Sequence, residues 1–173
     1  MGNDIHMNHM EIYWHDYAEQ ERNVPISKAS LTERSSVIGR TGLMLLSCGT
    51  GAWRVRNSMN TLSERLGITC SVNIGLMSID YTCFDGENCF SQSLCLSNTG
   101  VNTSKLNRLE NFVNEFSDKY IEFSGEQIHS FLDSVEQIHG LYSPFALGMA
   151  AAIACGGFTF LLGGGIVEII CAF

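Results

Sequence analysis

The chain changes character at residues 145–162, which read FALGMAAAIACGGFTFLL and contain no charged side chain. As an α-helix this stretch would be about 27 Å long, close to the thickness of a bilayer's hydrocarbon core. Gly148, Ala152 and Gly156 are spaced four apart, and small residues at that spacing allow membrane helices to approach closely. We therefore predict a transmembrane helix. The alternative is a buried helix of a soluble protein, but nothing upstream looks large enough to cover a helix that is apolar all round.

Three glycines, Gly163, Gly164 and Gly165, interrupt the apolar run, and residues 166–173 resume it. A helix of that length reaches only about 12 Å, so we expect the start of a second, truncated span of a longer multi-span protein. Glu168 lies in this segment. An ionisable residue in a membrane span is a functional-site hypothesis, here for proton or substrate coupling. The alternative is a role in starting the helix, because the helix dipole favours a carboxylate near the N-terminus.

The chain is acidic. Its 173 residues include 18 Asp and Glu against 10 Lys and Arg, for a net charge of −8. This balance argues against nucleic-acid binding, which needs a basic face for phosphate contacts. The N-terminus has neither the basic nor the apolar region of a signal peptide, so we expect the polar part to stay in the cytosol. The seven cysteines show no C-x-x-C spacing and are expected to be reduced thiols there.

Residues 30–143 predict a cytosolic α+β domain, which begins with two helices. Ser30 and Glu33 have the spacing of a capping box at the start of the first helix, over about 31–48. Gly39 and Gly42 lower its helix propensity and suggest close packing of another helix. The second helix, over about 52–66, ends at Gly67, which adopts the left-handed conformation at little cost.

A change of period marks the β part of this domain. From Ile68 to Cys83 apolar residues recur at every second position, as in a strand. The alternation changes phase at Gly75, which we interpret as a β-bulge. Residues 85–88, DGEN, indicate a hairpin turn, and a second strand follows over 89–97, so the domain contains a β-hairpin.

Two further helices complete the domain. The third is predicted over 103–120 from its apolar stripe. Ser124 and Gln127 have capping-box spacing at the start of the fourth. His129 lies beside the apolar stripe of the fourth helix, where we expect a solvated or locally hydrogen-bonded side chain.

The first 29 residues are polar and aperiodic, and we predict a flexible N-terminal tail over 1–29. His6 and His9 would share one face of a helix and could bind a metal there. The flexible tail is the favoured interpretation, and no metal or cofactor is expected in the chain.

The stretch around the join of the first two helices, residues 45–59, reads LLSCGTGAWRVRNSM. It resembles the threonine/serine exporter family of bacterial membrane proteins, whose pattern there is roughly L-L-E-S-G-A-E-T-Y-R-V-E-D-T-M. The matching positions include Gly49, Arg54, Val55 and Met59, with Trp53 and Ser58 as close substitutes. The turn at Gly163-Gly164-Gly165 with Glu168 resembles the family's Gly-Gly turn and following acidic residue. The resemblance covers about residues 31–173.

This resemblance implies a cytosolic N-terminal domain followed by several membrane helices, in the cell membrane and with a cytoplasmic N-terminus. Some members of the family are split into two proteins that assemble, and a short chain fits their N-terminal-domain subunit. The implied partners are the lipid bilayer, a small-molecule substrate, and a second membrane subunit or further copies of the chain. The chain departs from the family at Arg56 and Asn57, which replace acidic residues, and at Leu94, where many members carry Arg.

Arg54 is the best polar candidate for substrate binding. A guanidinium can place two hydrogen bonds on a carboxylate, which amino acids and dicarboxylates both carry. The alternative is that Arg54 pairs with a neighbouring helix and packs the domain. Trp53 and Asn57 belong to the same motif, and Gly49 is expected in a tight turn between helices.

No enzyme is expected. Ser47 and Cys48 adjoin a glycine-rich turn, but G-x-S-x-G is absent and the sequence places no His as a base. We therefore expect a component of a membrane exporter of small polar metabolites, threonine or serine by resemblance. A dicarboxylate such as succinate is the rival cargo. The alternative outside transport is a membrane-anchored cytosolic interaction domain or hydrolase-like domain.

Overall fold

The computed structural model describes residues 12–18, 23–138 and 143–172. Residues 1–139 and residues 140–173 make separate compact units. The first unit combines helices with a three-stranded antiparallel sheet, which confirms the predicted α+β class.

The elements of the first unit follow one another as α1 (Leu31–Ser47), α2 (Ala52–Arg65), β1 (Thr69–Ile74), β2 (Ser78–Phe84), β3 (Cys89–Cys95), α3 (Thr103–Asn114) and α4 (Gly125–Glu136). Short 3-10 turns cover Trp14–Ala18 and Ile26–Lys28. The second unit contains α5 (Pro144–Leu161) and α6 (Ile166–Ala172).

Side-chain caps fix the starts of α1 and α4 where the sequence predicts them. The Ser30 hydroxyl accepts a hydrogen bond from the Glu33 amide at 3.3 Å, and Ser124 and Gln127 form a complete capping box. The third helix is shorter than predicted, because the chain passes from α3 into a π-helical turn over Phe116–Tyr120.

Where the sequence predicts a two-stranded hairpin, the structure has a three-stranded sheet, because the first predicted strand is divided into β1 and β2. β1 and β2 pair with Ile74 opposite Ile79, and the Gly75 amide donates to the Ser78 carbonyl at 2.8 Å. The phase change at Gly75 is therefore a tight turn with Leu76 exposed at its tip, and the predicted bulge is wrong. A bulge and a two-residue turn both shift the alternation by one position, so the pattern alone does not separate them.

The sheet has one apolar and one polar face, as expected for an antiparallel sheet that is covered on one side. Ile79, Tyr81 and Cys83 of β2 are buried and face the helices. On the opposite face the Thr82 and Ser91 hydroxyls are hydrogen-bonded at 2.8 Å. This polar face of the sheet is exposed to solvent.

Helix α1 is buried along most of its length, and two of its glycines set how closely its neighbours approach. A Cβ at Gly39 would overlap the Tyr81 ring of β2, and one at Gly42 would overlap the Met59 side chain of α2. Close packing is therefore found at both positions, against a helix at Gly42 and against a strand at Gly39.

Part of the segment predicted as a flexible tail over 1–29 packs on the domain instead. Ala18 and Ile26 are fully buried, and the Ile26 amide donates to the Phe123 carbonyl at 2.8 Å. The sequence does not reveal this packing, because only a few isolated apolar side chains make it and they form no periodic pattern. His6 and His9 lie outside the described residues. Within residues 12–18, 23–138 and 143–172, no group of three or more His, Cys, Asp or Glu is placed to hold a metal.

In the second unit, α5 begins with the Ser143 hydroxyl accepting a hydrogen bond from the Ala146 amide at 3.3 Å. It ends in a turn in which Gly163 has a φ of +83°, a conformation that favours glycine. Among the described residues, no helix has both the length and the apolar character needed to cross a membrane. The transmembrane helix over 145–162 and the second span from 166 stay predictions.

We predict that Gly39→Ala destabilises the protein. The added methyl would meet the buried Tyr81 ring, and overpacking a core costs about 1–3 kcal/mol, against a gain of about 1 kcal/mol in helix propensity. Thermal unfolding of the full chain in detergent, followed by circular dichroism, should show a lower Tm.

The control is Gly100→Ala, because a Cβ there meets no atom within 4 Å and the Tm should not fall. Tyr81→Phe removes the hydroxyl nearest the new methyl, so Gly39→Ala should cost less in that background. An unchanged Tm for Gly39→Ala would show that α1 and β2 are not in close contact at this position.

Candidate functional site

The turn between α1 and α2 fixes where the candidate residues lie. Gly49 follows α1 with a φ of +73°, which is strained for a residue with a Cβ. The Gly100 amide donates to the Ser47 carbonyl at 3.0 Å, so the segment before α3 closes this turn. The backbone therefore requires glycine at position 49, and α2 starts directly after the turn.

Helix α2 carries Trp53, Arg54 and Asn57 onto one groove of about 280 Å³ beside α3. Trp53, Asn57 and Thr61 are four residues apart, a spacing that puts side chains on the same helix face. The two walls of the groove are joined by Arg65 of α2, whose Nη1 donates to the Asn114 carbonyl of α3 at 2.8 Å.

An ion pair crosses this groove. Arg54 Nη1 lies 3.3 Å from Glu110 Oε1 of α3, and the two side chains are 43% and 35% exposed. Exposed pairs of this kind contribute about 0–1 kcal/mol, because water screens them. The Trp53 ring, itself exposed, has its centroid 5.4 Å from Arg54 Cζ, within the range of a cation–π contact. The groove thus presents one positive and one negative group side by side.

Glu110 is the charged residue of the groove that the sequence alone does not reveal. It follows Leu109 of the buried stripe of α3, so the helical period places it at the border of that stripe. Its pairing with Arg54 depends on how α2 and α3 pack, which no local pattern gives. Among the described residues that line the groove, Arg54 and Glu110 are the charged ones, since Asn57 is neutral where the family pattern has an acidic residue.

In the second unit, Gly163, Gly164 and Gly165 connect α5 to α6. A Cβ on Gly165 would lie 2.8 Å from Glu168 Oε2, so the Glu168 carboxylate lies at the first turn of α6. Negative charge is stabilised at that end of a helix. This geometry supports the alternative in which Glu168 starts the helix.

Comparison with protein families matches residues 36–173 to the family described as "Putative threonine/serine exporter". The chain belongs to the threonine/serine exporter family. The match runs from within α1 to the end of the chain, so it includes the groove and the glycine turn. Neither the curated proteins nor the solved structures give a significant match. The resemblance seen in residues 45–59 to threonine/serine exporters is thereby confirmed.

A second polar cluster in this exporter-family chain lies between α1 and α4, with a buried arginine at its centre. Arg40 of α1 is 2% exposed, and its Nη1 donates to the His129 carbonyl at 3.0 Å. Its Nη2 donates to the carboxylates of Asp133 and Glu136. Because a buried charge needs such partners, Arg40 holds α4 against α1 and has no access to a ligand.

His129 is fully buried and hydrogen-bonded, so of the two expected settings the solvated one is wrong. Its Nε2 lies 3.0 Å from the Ser36 oxygen, and the Ser36 hydroxyl donates to the Glu33 carbonyl at 2.7 Å. The network therefore assigns the proton to His129 Nε2. Burial, together with the nearby charge of Arg40, lowers the pKa of His129 to about 3. A serine whose proton is held by a backbone carbonyl is not poised for attack, so this pair does not form an activated nucleophile.

The Ser47-Cys48 pair is no better suited to hydrolysis. The Ser47 hydroxyl donates to the Met44 carbonyl at 2.7 Å. Cys48 is buried, and burial raises the pKa of its thiol, which disfavours the reactive thiolate. Neither Ser36, Ser47 nor Cys48 is therefore an activated nucleophile.

His15 attaches the N-terminal segment to α4. Its Nδ1 lies 3.0 Å from Glu126 and its Nε2 lies 2.8 Å from Asp133. The hydrogen bond to Glu126 raises the pKa of His15, burial opposes that effect, and the bond to Asp133 adds to it, so the pKa is raised overall. The stability contributed by protonated His15 is therefore complete below the unfolded pKa of about 6.5 and is lost as pH rises through the folded pKa.

We predict that His15→Gln destabilises the protein more at about pH 6 than at about pH 9, because the charged imidazole is present only at the lower pH. His15 is 40% exposed, so the difference should not exceed about 1 kcal/mol. Urea unfolding of the full chain in detergent at both pH values measures it. Equal destabilisation at both values would show that the charge of His15 contributes nothing.

Proposed function

We propose that this chain is a component of a membrane exporter of threonine and serine, with α5 embedded in lipid. The observation that carries the proposal is the apolar surface of α5. Phe145, Phe158 and Phe160 are 78%, 67% and 67% exposed, and residues 145–162 carry no charge. In water a contiguous exposed apolar surface is costly, and such surfaces mark contacts with proteins or membranes. Lipid hydrocarbon would cover this helix on every side.

Membership of an exporter family supports the same assignment, because an exporter acts across a membrane. In this proposal the α+β domain lies on the cytosolic side of the cell membrane and the N-terminus is cytoplasmic. All seven cysteines are free thiols, as is usual in a reducing compartment.

We also propose that the chain assembles with a second membrane subunit or with further copies of itself. Gly148, Ala152 and Gly156 support this, because small residues four apart let a neighbouring helix approach. Glu168 is proposed to start α6, and Arg54 to bind substrate.

We predict faster efflux of threonine and serine from cells that carry the complete exporter genes than from cells that lack them. Cells preloaded with radiolabelled threonine, serine or succinate are compared over time. Faster efflux of succinate alone would contradict the proposed cargo and favour a dicarboxylate exporter. Equal efflux of all three compounds in both strains would reject transport and leave the membrane-anchored interaction domain.

We also predict that Ile153→Arg removes the chain from the membrane fraction. Ile153 is 61% exposed on α5, and Arg near the centre of a span costs about 2.5–3.5 kcal/mol on insertion. Membranes washed at alkaline pH should retain less of this variant. The matched control is Leu76→Arg, which adds the same charge at an exposed turn of the α+β domain. Equal retention of Ile153→Arg and the wild type would mean that α5 does not lie in lipid.

A further inference from the structure

We propose that the groove between α2 and α3 binds one small α-amino acid as a zwitterion, with Arg54 on its carboxylate and Glu110 on its ammonium group. This inference rests on the proposed function, since it names the ligand class of the Arg54 site. It adds Glu110 as the second recognition group. It also separates amino acids from dicarboxylates on physical grounds.

The ion pair indicates which charges the ligand carries. Arg54 Nη1 and Glu110 Oε1 are 3.3 Å apart, and each side chain can pair with a ligand group of opposite charge. An amino acid carries both charges within one small group, so it can insert between the two side chains and replace one ion pair by two. The exchange leaves no charge unpaired. It also costs little, because an exposed pair is worth only about 0–1 kcal/mol before it opens.

The surroundings of Arg54 favour a carboxylate as its new partner. The Trp53 ring centroid lies 5.4 Å from Arg54 Cζ, within the range of a cation–π contact. Carboxylates accept two parallel hydrogen bonds from a guanidinium. An indole side chain has no conventional hydrogen-bond acceptor, so Trp53 leaves the donors of Arg54 available for a carboxylate.

The size and polarity of the groove limit the side chain of the ligand. Its volume of about 280 Å³ lies just below the range of about 300–1,000 Å³ that is typical of small-molecule sites. Asn57, Ser58 and Thr61 line it and offer hydroxyl and amide groups. A hydroxylated side chain can pair with them, whereas an apolar one would leave polar groups without partners.

A dicarboxylate fits less well. One carboxylate of succinate would bind Arg54, but Glu110 would then face negative charge and no ammonium group. Like charges at close range repel, so the groove should discriminate against succinate.

The test uses the full chain in detergent and the fluorescence of Trp53. The sequence has two tryptophans, so Trp14→Phe leaves Trp53 as the reporter. Titration with L-threonine or L-serine should give a saturable change in fluorescence, whereas succinate and threonine methyl ester should give none. Calorimetric titration of the wild-type chain with L-threonine provides a second measurement if Trp14→Phe does not fold.

Two variants and one control assign the binding to the groove. Arg54→Lys and Glu110→Gln should each weaken threonine binding by about tenfold or more, the effect of losing one charge-assisted contact. Glu115→Gln breaks the exposed ion pair with Lys119, whose atoms are 2.8 Å apart, outside the groove, and should leave binding unchanged.

The inference would be overturned if threonine did not bind at concentrations up to about 10 mM, since that range covers any Kd of about 1 mM or less. Equal binding of succinate would overturn it as well. So would threonine binding that neither groove variant weakens. The outcome is separable from the efflux experiment. Export of threonine without binding to the groove would remove this site and leave the exporter assignment in place, whereas binding without export would keep the site and reject the exporter.

Discussion

A buried positive charge on α1 determines how the first unit packs. Arg40 cannot leave the protein interior without partners, and α4 supplies them through the His129 carbonyl and the carboxylates of Asp133 and Glu136. Burial by itself raises the pKa of Asp133, but hydrogen bonds from Arg40 and His15 outweigh it and the pKa is lowered. Because Asp133 contacts both Arg40 and His15, one carboxylate links α1, α4 and the N-terminal segment.

The predictable parts of the fold are those that local residues determine. Ser30 and Ser124 begin α1 and α4 because their side chains cap the first turn, and a cap is visible within four residues of sequence. The turn at Gly75 cannot be told from a bulge in the sequence, because both shift the alternation of apolar residues by one position. The packing of residues 12–18 escaped prediction because His15 meets its partners 111 and 118 positions further along the chain, and no local pattern encodes such contacts.

Only the α2 side of the candidate groove can be predicted from the sequence, because its residues are close together along the chain. Trp53, Arg54 and Asn57 lie within five residues on one helix, so their proximity follows from the helical repeat. Glu110 comes from α3, and its approach to Arg54 depends on the packing of two helices separated by a whole sheet in sequence. The position of His129 beside the apolar stripe leaves a solvated or a hydrogen-bonded side chain open, and the packing of α1 on α4 buries it and supplies Ser36 as its partner.

Arg40 and Arg54 show how the surroundings of a guanidinium decide its role. The Arg40 side chain is 3% exposed, so leaving its buried charge without any carboxylate partner would cost about 3–5 kcal/mol. Arg54 is 43% exposed, and among the described residues Glu110 is its carboxylate partner, so its pairing can change at a cost of about 1 kcal/mol or less. Arg65 holds α2 to α3 through the Asn114 carbonyl, which keeps the groove walls in place while that pairing changes. Recognition of a charged ligand needs this combination of a fixed frame and an exchangeable ion pair, and the α2–α3 groove provides both.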